Sequence, residues 1–254
     1  GPIPNHTMSA SAPPPELFDL TTLLSLGAVV VFLASAYALS NVLLSRDAPG
    51  PLRFLFIWHA FDALIHVILE GSFLYNCFFV YRAFDPAIDH PASVTNFLGH
   101  PDRVYGSAYG NNWAANLWQV YARADKRWGG ADLTVISLEL LTVFGGAPLA
   151  AYICYGIAKR NVRVSIWMII LATAELYGGF MTFCPEWLTG NLNLDTSNWM
   201  YKWLYLVFFN MLWVFIPLYA IYFAYTDISN AFAVRNGVMN ARLALQQQES
   251  KKAK

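Results

Sequence analysis

Five apolar runs stand out along the chain, approximately Leu20 to Leu44, Leu52 to Val80, Leu133 to Ile157, Val164 to Phe183 and Trp203 to Tyr225. Each is close to the roughly 20 residues a helix needs to cross about 30 Å of hydrocarbon. Polar punctuation separates them. "SRDAPGP" makes a tight turn after the first run, "AKRNVR" joins the third to the fourth, and "CPEWLTGNLNLDTSN" joins the fourth to the fifth. No internal repeat is visible. Because only helices and closed barrels satisfy their backbones in lipid, the pattern predicts an all-α fold, one integral membrane bundle of five transmembrane helices. The bundle domain then covers 20–225 with a long loop at 82–131, and 8–19 forms a flexible N-terminal segment. Within the loop, the link from Arg82 to Asn116, with "VYGSAYGNNW", has no clear periodicity and reads as a lid or as a lumenal excursion without chemistry. The tail 226–254 alternates apolar and polar residues and is expected to extend the fifth helix beyond the membrane.

The polar positions inside these runs form a pattern of their own. "LIHVILEG", Leu64 to Gly71, sets His66 and Glu70 four apart, and Asp62 lies one turn earlier, so the three make one stripe on a helix. The third run carries Glu139 and Thr142, the fourth carries Glu175 followed by Tyr177, and the fifth carries Asn210 and Trp213 three apart. A charged group at membrane depth costs roughly 2.5 to 3.5 kcal/mol on insertion scales. Interhelical hydrogen bonding accounts for any one of these residues, at about 0.6 kcal/mol each on average. Taken together they point to a shared internal hydrophobic cavity. Proton or ion conduction is a second reading, against which stand a first helix without ionisable groups and the lack of an inverted repeat. In an apolar cavity, one acid that holds its proton and another that stays ionised can move a proton onto one carbon and off another. An indole face such as that of Trp213 suits the carbocation formed between those two steps.

Composition sharpens this picture. With 57% hydrophobic residues, 13% charged residues and a mean hydropathy of +0.40, the chain is too apolar for an ordinary soluble domain. A formal net charge of +0 and the lack of any basic or zinc-binding motif leave no footprint for nucleic acid. Nothing in the motifs calls for a metal or organic cofactor. Cys77, Cys154 and Cys184 are expected to be packing residues, with a Cys77 to Cys184 bridge as the lesser option. Residues 1–7, "GPIPNHT", precede Met8 and look like an expression-tag remnant, which sets aside the sequon Asn5-His6-Thr7. "SASAPPP", Ser9 to Pro15, lacks the features of a signal peptide.

Charge also orients the chain. Arg46, Arg53, Lys159, Arg160, Arg163, Arg235, Arg242, Lys251, Lys252 and Lys254 all fall on one side, which predicts a cytosolic C-terminus and a lumenal N-terminus. "YARADKRW", Tyr121 to Trp128, runs against the rule. The terminal "KKAK" resembles a dilysine retrieval signal of the endoplasmic reticulum, or is a solvated end.

At this point a family resemblance enters. "IHVILEG", "LWQVYARADKRW", "SLELLT", "ELYGG" and "FFNMLWVFIP", in that order, resemble the emopamil-binding protein family, whose founding activity is the 3-beta-hydroxysteroid delta-8, delta-7 isomerase of sterol synthesis. The resemblance implies a sterol pocket lined by His66, Glu70, Glu139, Thr142, Asn210 and Trp213. Glu70 would be the acid, His66 its relay, Glu139 the partner acid or base, and Asn210 the residue orienting Glu139 through a hydrogen bond. Trp213 would lie against the cation, and Tyr121 and Tyr177 would shape the mouth or floor. It further implies a cofactor-free isomerase of the endoplasmic reticulum membrane that binds sterol, lipid and cationic amphiphilic inhibitors, with pairing to a second copy left open. Where the family would have a glutamine this chain has Glu175, Gly179 replaces an expected acid, and Asp62 is an added one. These departures leave two alternatives: an isomerase or cyclase acting on a terpenoid or other hydrophobic substrate, and a non-catalytic sterol or lipid binder.

Overall fold

The computed structural model describes residues 18–254, so the expected tag remnant, its sequon and Ser9 to Pro15 lie outside the described residues. Among those residues the helices are α1 (Leu20–Leu43), α2 (Gly50–Phe79), α3 (Trp113–Ala122), α4 (Leu133–Ala158), α5 (Val164–Leu188) and α6 (Met200–Lys252). All but the short α3 are long and apolar enough to cross a membrane. The chain is a multi-pass membrane protein.

Local chemistry sets the helix starts. Asp19, Asn112 and Asp132 each accept a backbone N–H three residues on, from Thr22 (2.7 Å), Ala115 (2.8 Å) and Val135 (2.9 Å). Each such cap stabilises by about 1 kcal/mol. The turn between α1 and α2 is clasped by Arg53, which donates to the carbonyls of Ser40 and Ser45. At its other end α5 outruns the expected stop at Phe183, carrying Pro185 inside its last turns.

The bundle packs α2 between α1 and α4, and lays α5 along α6. Its core is built from Leu55, Phe56, Phe73, Ile153, Met168 and Ala172. Large apolar side chains also cover the outside, such as Val42 at 79% and Leu141 at 74% exposed, an inversion that suits lipid rather than water. Gly50, Pro51 and the lower half of α2 lie at the same end as the α4–α5 turn, where Ser165 donates to Asp227 of α6 (2.6 Å).

The link after α2 is more ordered than its sequence indicates. β1 (Tyr81–Ala83) pairs antiparallel with β2 (Arg103–Tyr105), Tyr81 opposite Tyr105. Arg82 grips Asp89 through two bonds of 2.7 Å, and Arg103 lies over the Tyr81 ring. At Gly106, φ is +130°, and a Cβ there would meet the Gly129 carbonyl oxygen at 2.7 Å. Only glycine lets the hairpin dock so closely on the segment before α4. α3 then brings Trp118 onto Trp128, stacked at 5.1 Å.

The basic residues of "YARADKRW" are tied into this end of the bundle. Arg127 is buried, donates to Asp125 (2.8 and 3.0 Å) and to the Thr182 carbonyl, and lies 3.5 Å from Glu186. Burial pushes the Asp125 carboxyl up from the usual carboxylate range, with Arg127 opposing the shift. Glu186 in turn accepts from the backbone and side chain of Asn193, fastening the α5–α6 loop. Arg123 meets Asp19 at 3.1 Å.

All three cysteines are free thiols. The Cys77 to Cys184 bridge is therefore corrected: the Cys77 thiol donates to the Gly130 carbonyl (3.6 Å), and Cys154 donates to that of Phe56 (3.5 Å). α6 continues without a break past the bundle, and every residue from Ser229 to Lys254 is exposed.

Candidate functional site

Three of the spans contain π-helical turns: Ile65–Glu70 in α2, Thr142–Gly146 in α4 and Met200–Phe208 in α6. Such turns widen the helix, free a carbonyl and gather at functional sites. In α2 the widened turn contains His66 and Glu70, and brings these residues, four apart, nearly into line. The Leu69 carbonyl in the same turn accepts from the Trp118 indole (3.2 Å), which also reaches Ser72 (3.0 Å).

His66 is the hub, only 3% exposed. Its Nδ1 lies 2.5 Å from Glu70 Oε2, and its Nε2 lies 2.7 Å from Asp62 Oδ1 and 3.6 Å from Glu175 Oε1. Asp62 is fully buried, and its Oδ1 also accepts from Trp213 Nε1 at 2.7 Å. The Trp213 ring stands 6.2 Å from that of His66 and is walled by Trp58 and Phe61. Glu139, buried on α4, interacts with Glu70 and His66. Three spans thus bring four carboxyls around one imidazole. His66 is the cluster's basic side chain, and the ion pairs of Arg82, Arg123 and Arg127 lie elsewhere. One imidazole does not neutralise four carboxylates in so apolar a medium, so the cluster holds protons. Asp62 Oδ2, His66 Nε2, Glu139 Oε2 and Glu175 Oε1 are buried without a hydrogen-bond partner. Their contacts run within the cluster, from His66 Nε2 to Asp62, from Asp62 to Glu175 and from Glu139 to Glu70.

Asp62, His66 and Glu175 each set one ligand atom within 4.8 Å of the others, the one group of His, Cys or acid side chains among the described residues spaced for a metal ion. An apolar hollow of about 390 Å³ begins one residue beyond Glu70, between α2 and α4, lined by Gly71, Leu74, Tyr75, Phe78, Leu140 and Val143. It opens on the face of the bundle.

Not every expected residue joins this cluster. Asn210 donates to the Tyr121 hydroxyl (3.2 Å) and to the carbonyls of Tyr205 and Leu206, and makes none of its recorded bonds to Glu139. The expected bond is corrected on that point: the π turn before Asn210 exposes carbonyls that take its amide. Burial pushes the Tyr121 phenol well above its usual range. Thr142 is half-buried and opens the π turn of α4. Tyr177 is 67% exposed, since two residues past Glu175 is about 200° round the helix. Sequence reasoning passed over Trp58, Phe61 and Trp118. Trp58 lies one turn before Asp62, so the spacing that marked the acids marks it as well.

Residues 113–224, from α3 through the bundle part of α6, match the model of the EXPERA family, the expanded EBP superfamily. Full-length relatives extend the likeness to α2. The chain is 27% identical over 184 residues to a probable 3-beta-hydroxysteroid-Delta(8),Delta(7)-isomerase of Arabidopsis thaliana, covering 72% of this chain and 70% of that protein. It is 26% identical to the 3-beta-hydroxysteroid-Delta(8),Delta(7)-isomerase of Cavia porcellus, covering 69% and 67%. It is also 26% identical to a protoglabretal synthase of Citrus sinensis, covering 65% of each chain. With five apolar spans in the order of the motifs quoted above, the chain is similar over most of its length to proteins of the expanded EBP superfamily.

Proposed function

We propose that the protein is a membrane-embedded isomerase that moves a sterol double bond from position 8 to position 7. The observation that carries this reading is the chain of contacts from Glu70 through His66 to Asp62 and Trp213, with a carboxyl at one end and an indole at the other. Glu70 delivers a proton to carbon 9, leaving a cation at carbon 8, and loss of a proton from carbon 7 closes the new double bond. Nothing is oxidised or reduced overall, as in an intramolecular oxidoreductase. His66 passes charge to and from Glu70, Glu139 partners Glu70 at the donor end, and Trp213 turns its negative π-face toward the cation. Asn210 and Tyr121 fix the wall opposite. A cationic amphiphile would occupy the same place as the cation, which makes such compounds inhibitors. The relatives named as sterol isomerases support the substrate class. The protein resides in the endoplasmic reticulum membrane with a cytosolic C-terminus, a reading supported by the basic residues on one side and by "KKAK".

A second reading keeps the proton chemistry and changes the substrate to another polycyclic terpenoid. The added acids Asp62 and Glu175 favour it, as does the likeness to a protoglabretal synthase. One experiment separates the two. The purified protein in detergent is given a delta-8 sterol in deuterated water, and the products are followed by mass spectrometry. A delta-7 sterol with one added deuterium is expected. No conversion, with a cationic amphiphile still bound, removes the sterol reading and leaves the terpenoid one.

A further inference from the structure

Moving a double bond by proton transfer requires two stations, one that gives a proton and one that takes another. The donor station described above lies on the Nδ1 side of His66, where Glu70 and Glu139 meet. The opposite side of the same ring holds a second acid pair. Asp62 Oδ1 lies 2.7 Å and Glu175 Oε1 3.6 Å from Nε2. Asp62 is fully buried, the Glu175 side chain is 9% exposed, and the two carboxyls interact with each other as well as with His66. Trp213 holds Asp62 Oδ1 through its indole N–H, so the aromatic face expected beside the cation is fixed to this acid pair rather than to the donor pair. The other titratable side chains near it are His59, whose Nδ1–H donates to the Leu55 carbonyl (2.6 Å), and Cys154, whose thiol donates to the Phe56 carbonyl.

From this arrangement, and resting on the isomerase reading, we infer that Glu175, steadied by Asp62, is the base that removes the proton from carbon 7. The balance is simple. The C7–H bond breaks, its electron pair becomes the new double bond to carbon 8, and the proton ends on Glu175 Oε1. Glu70 meanwhile is left as the carboxylate. The imidazole closes the cycle by taking a proton at Nε2 from the acid pair while releasing the one on Nδ1 to Glu70, a transfer for which its two nitrogens are suited. Glu139, at the donor end, is not the base.

The test compares wild type, Glu175→Gln, Glu175→Asp and Glu139→Gln with a delta-8 sterol, measuring turnover and the position of the product double bond by mass spectrometry and NMR. Carbon 8 of the cation has three neighbours. When the base beside carbon 7 is lost, the remaining exit is the proton on carbon 14, which yields the 8(14) isomer. In Glu175→Gln, delta-7 formation is expected to fall by about 100-fold, the lower end of what a positioned base contributes, with the residual product enriched in the 8(14) isomer. Glu175→Asp restores delta-7 product, and Glu139→Gln makes delta-7 as its sole product. Wild-type rate and product from Glu175→Gln overturn the inference, as does a product shift in Glu139→Gln instead. If Glu175→Gln is wholly inactive, failure of Glu175→Asp to restore delta-7 formation also overturns it. Absence of conversion by the wild type removes the isomerase reading itself.

Discussion

Asp62 shows how much one residue settles at membrane depth. Its Oδ1 is shared by His66 and Trp213, so carboxyl, imidazole and indole are held as a unit. Glu70 stands at the opposite end, and Glu70→Gln keeps size and hydrogen bonding while removing the acidic proton. Turnover is expected to fall by 100-fold or more, about the share of a general acid, with an unchanged melting temperature in detergent. Activity near wild type would count against Glu70 as donor. The trio of Asp62, His66 and Glu175 has a metal-like donor set, yet the proton chemistry proposed needs no ion. Treatment with a strong chelator followed by metal-free buffer should therefore leave the rate unchanged, and a loss restored by zinc would replace the proton reading with a Lewis-acid one. Which residues carry polarity in lipid was plain from the sequence. Where their side chains point was less so, because phase counted at α-helical spacing drifts across a π turn; Asn210, just after one, turns to Tyr121 instead of Glu139.

Elements with long apolar runs were legible because length alone separates a span from a loop. The link was not, since β1 and β2 are three residues each and are held by a glycine at +130° and by arginine contacts that no periodicity announces. α1 illustrates a single cap at work. The Thr22 hydroxyl and N–H, with Arg123, hold the Asp19 carboxyl below the usual range. A depressed carboxylate adds stability that is present above its unfolded value and lost as pH falls through the folded one. Melting in detergent is thus expected to drop as pH is lowered below about 4, the ordinary carboxylate range. Asp19→Ala should lose about 1 kcal/mol at pH 7 and show a shallower acid dependence. A much larger effect is expected where Arg127 ties Asp125 to Glu186. Arg127→Ala leaves two buried acids without their partner, a loss of about 3 to 5 kcal/mol. A thermal scan that moves by less than a degree or two would show the pair to be replaceable by water.

For the whole molecule, the bundle and the tail are expected to separate cleanly. From Ser229 onward every residue of α6 is exposed, and its last 24 residues span about 36 Å at 1.5 Å per residue. Removing residues 230–254 should leave melting temperature and turnover as they are, while keeping Asp227 and its bond to Ser165. A fall in either would mean that the tail folds back on the bundle or joins another copy. In sealed vesicles, trypsin added outside should cut at Arg235 and Arg242, and protection of both would reverse the orientation drawn from the charges. The π turn in α2 bears on the molecule at this scale as well. A π turn is an α-helix with one residue too many, absorbed locally so that the helix on either side keeps its phase. Excising one residue between His66 and Glu70 would restore regular winding and leave Leu55 and Phe73 facing the same neighbours. The alignment of the stripe proposed to do the chemistry thus rests on a single extra residue, one deletion away from a five-helix protein expected to fold with that stripe dispersed.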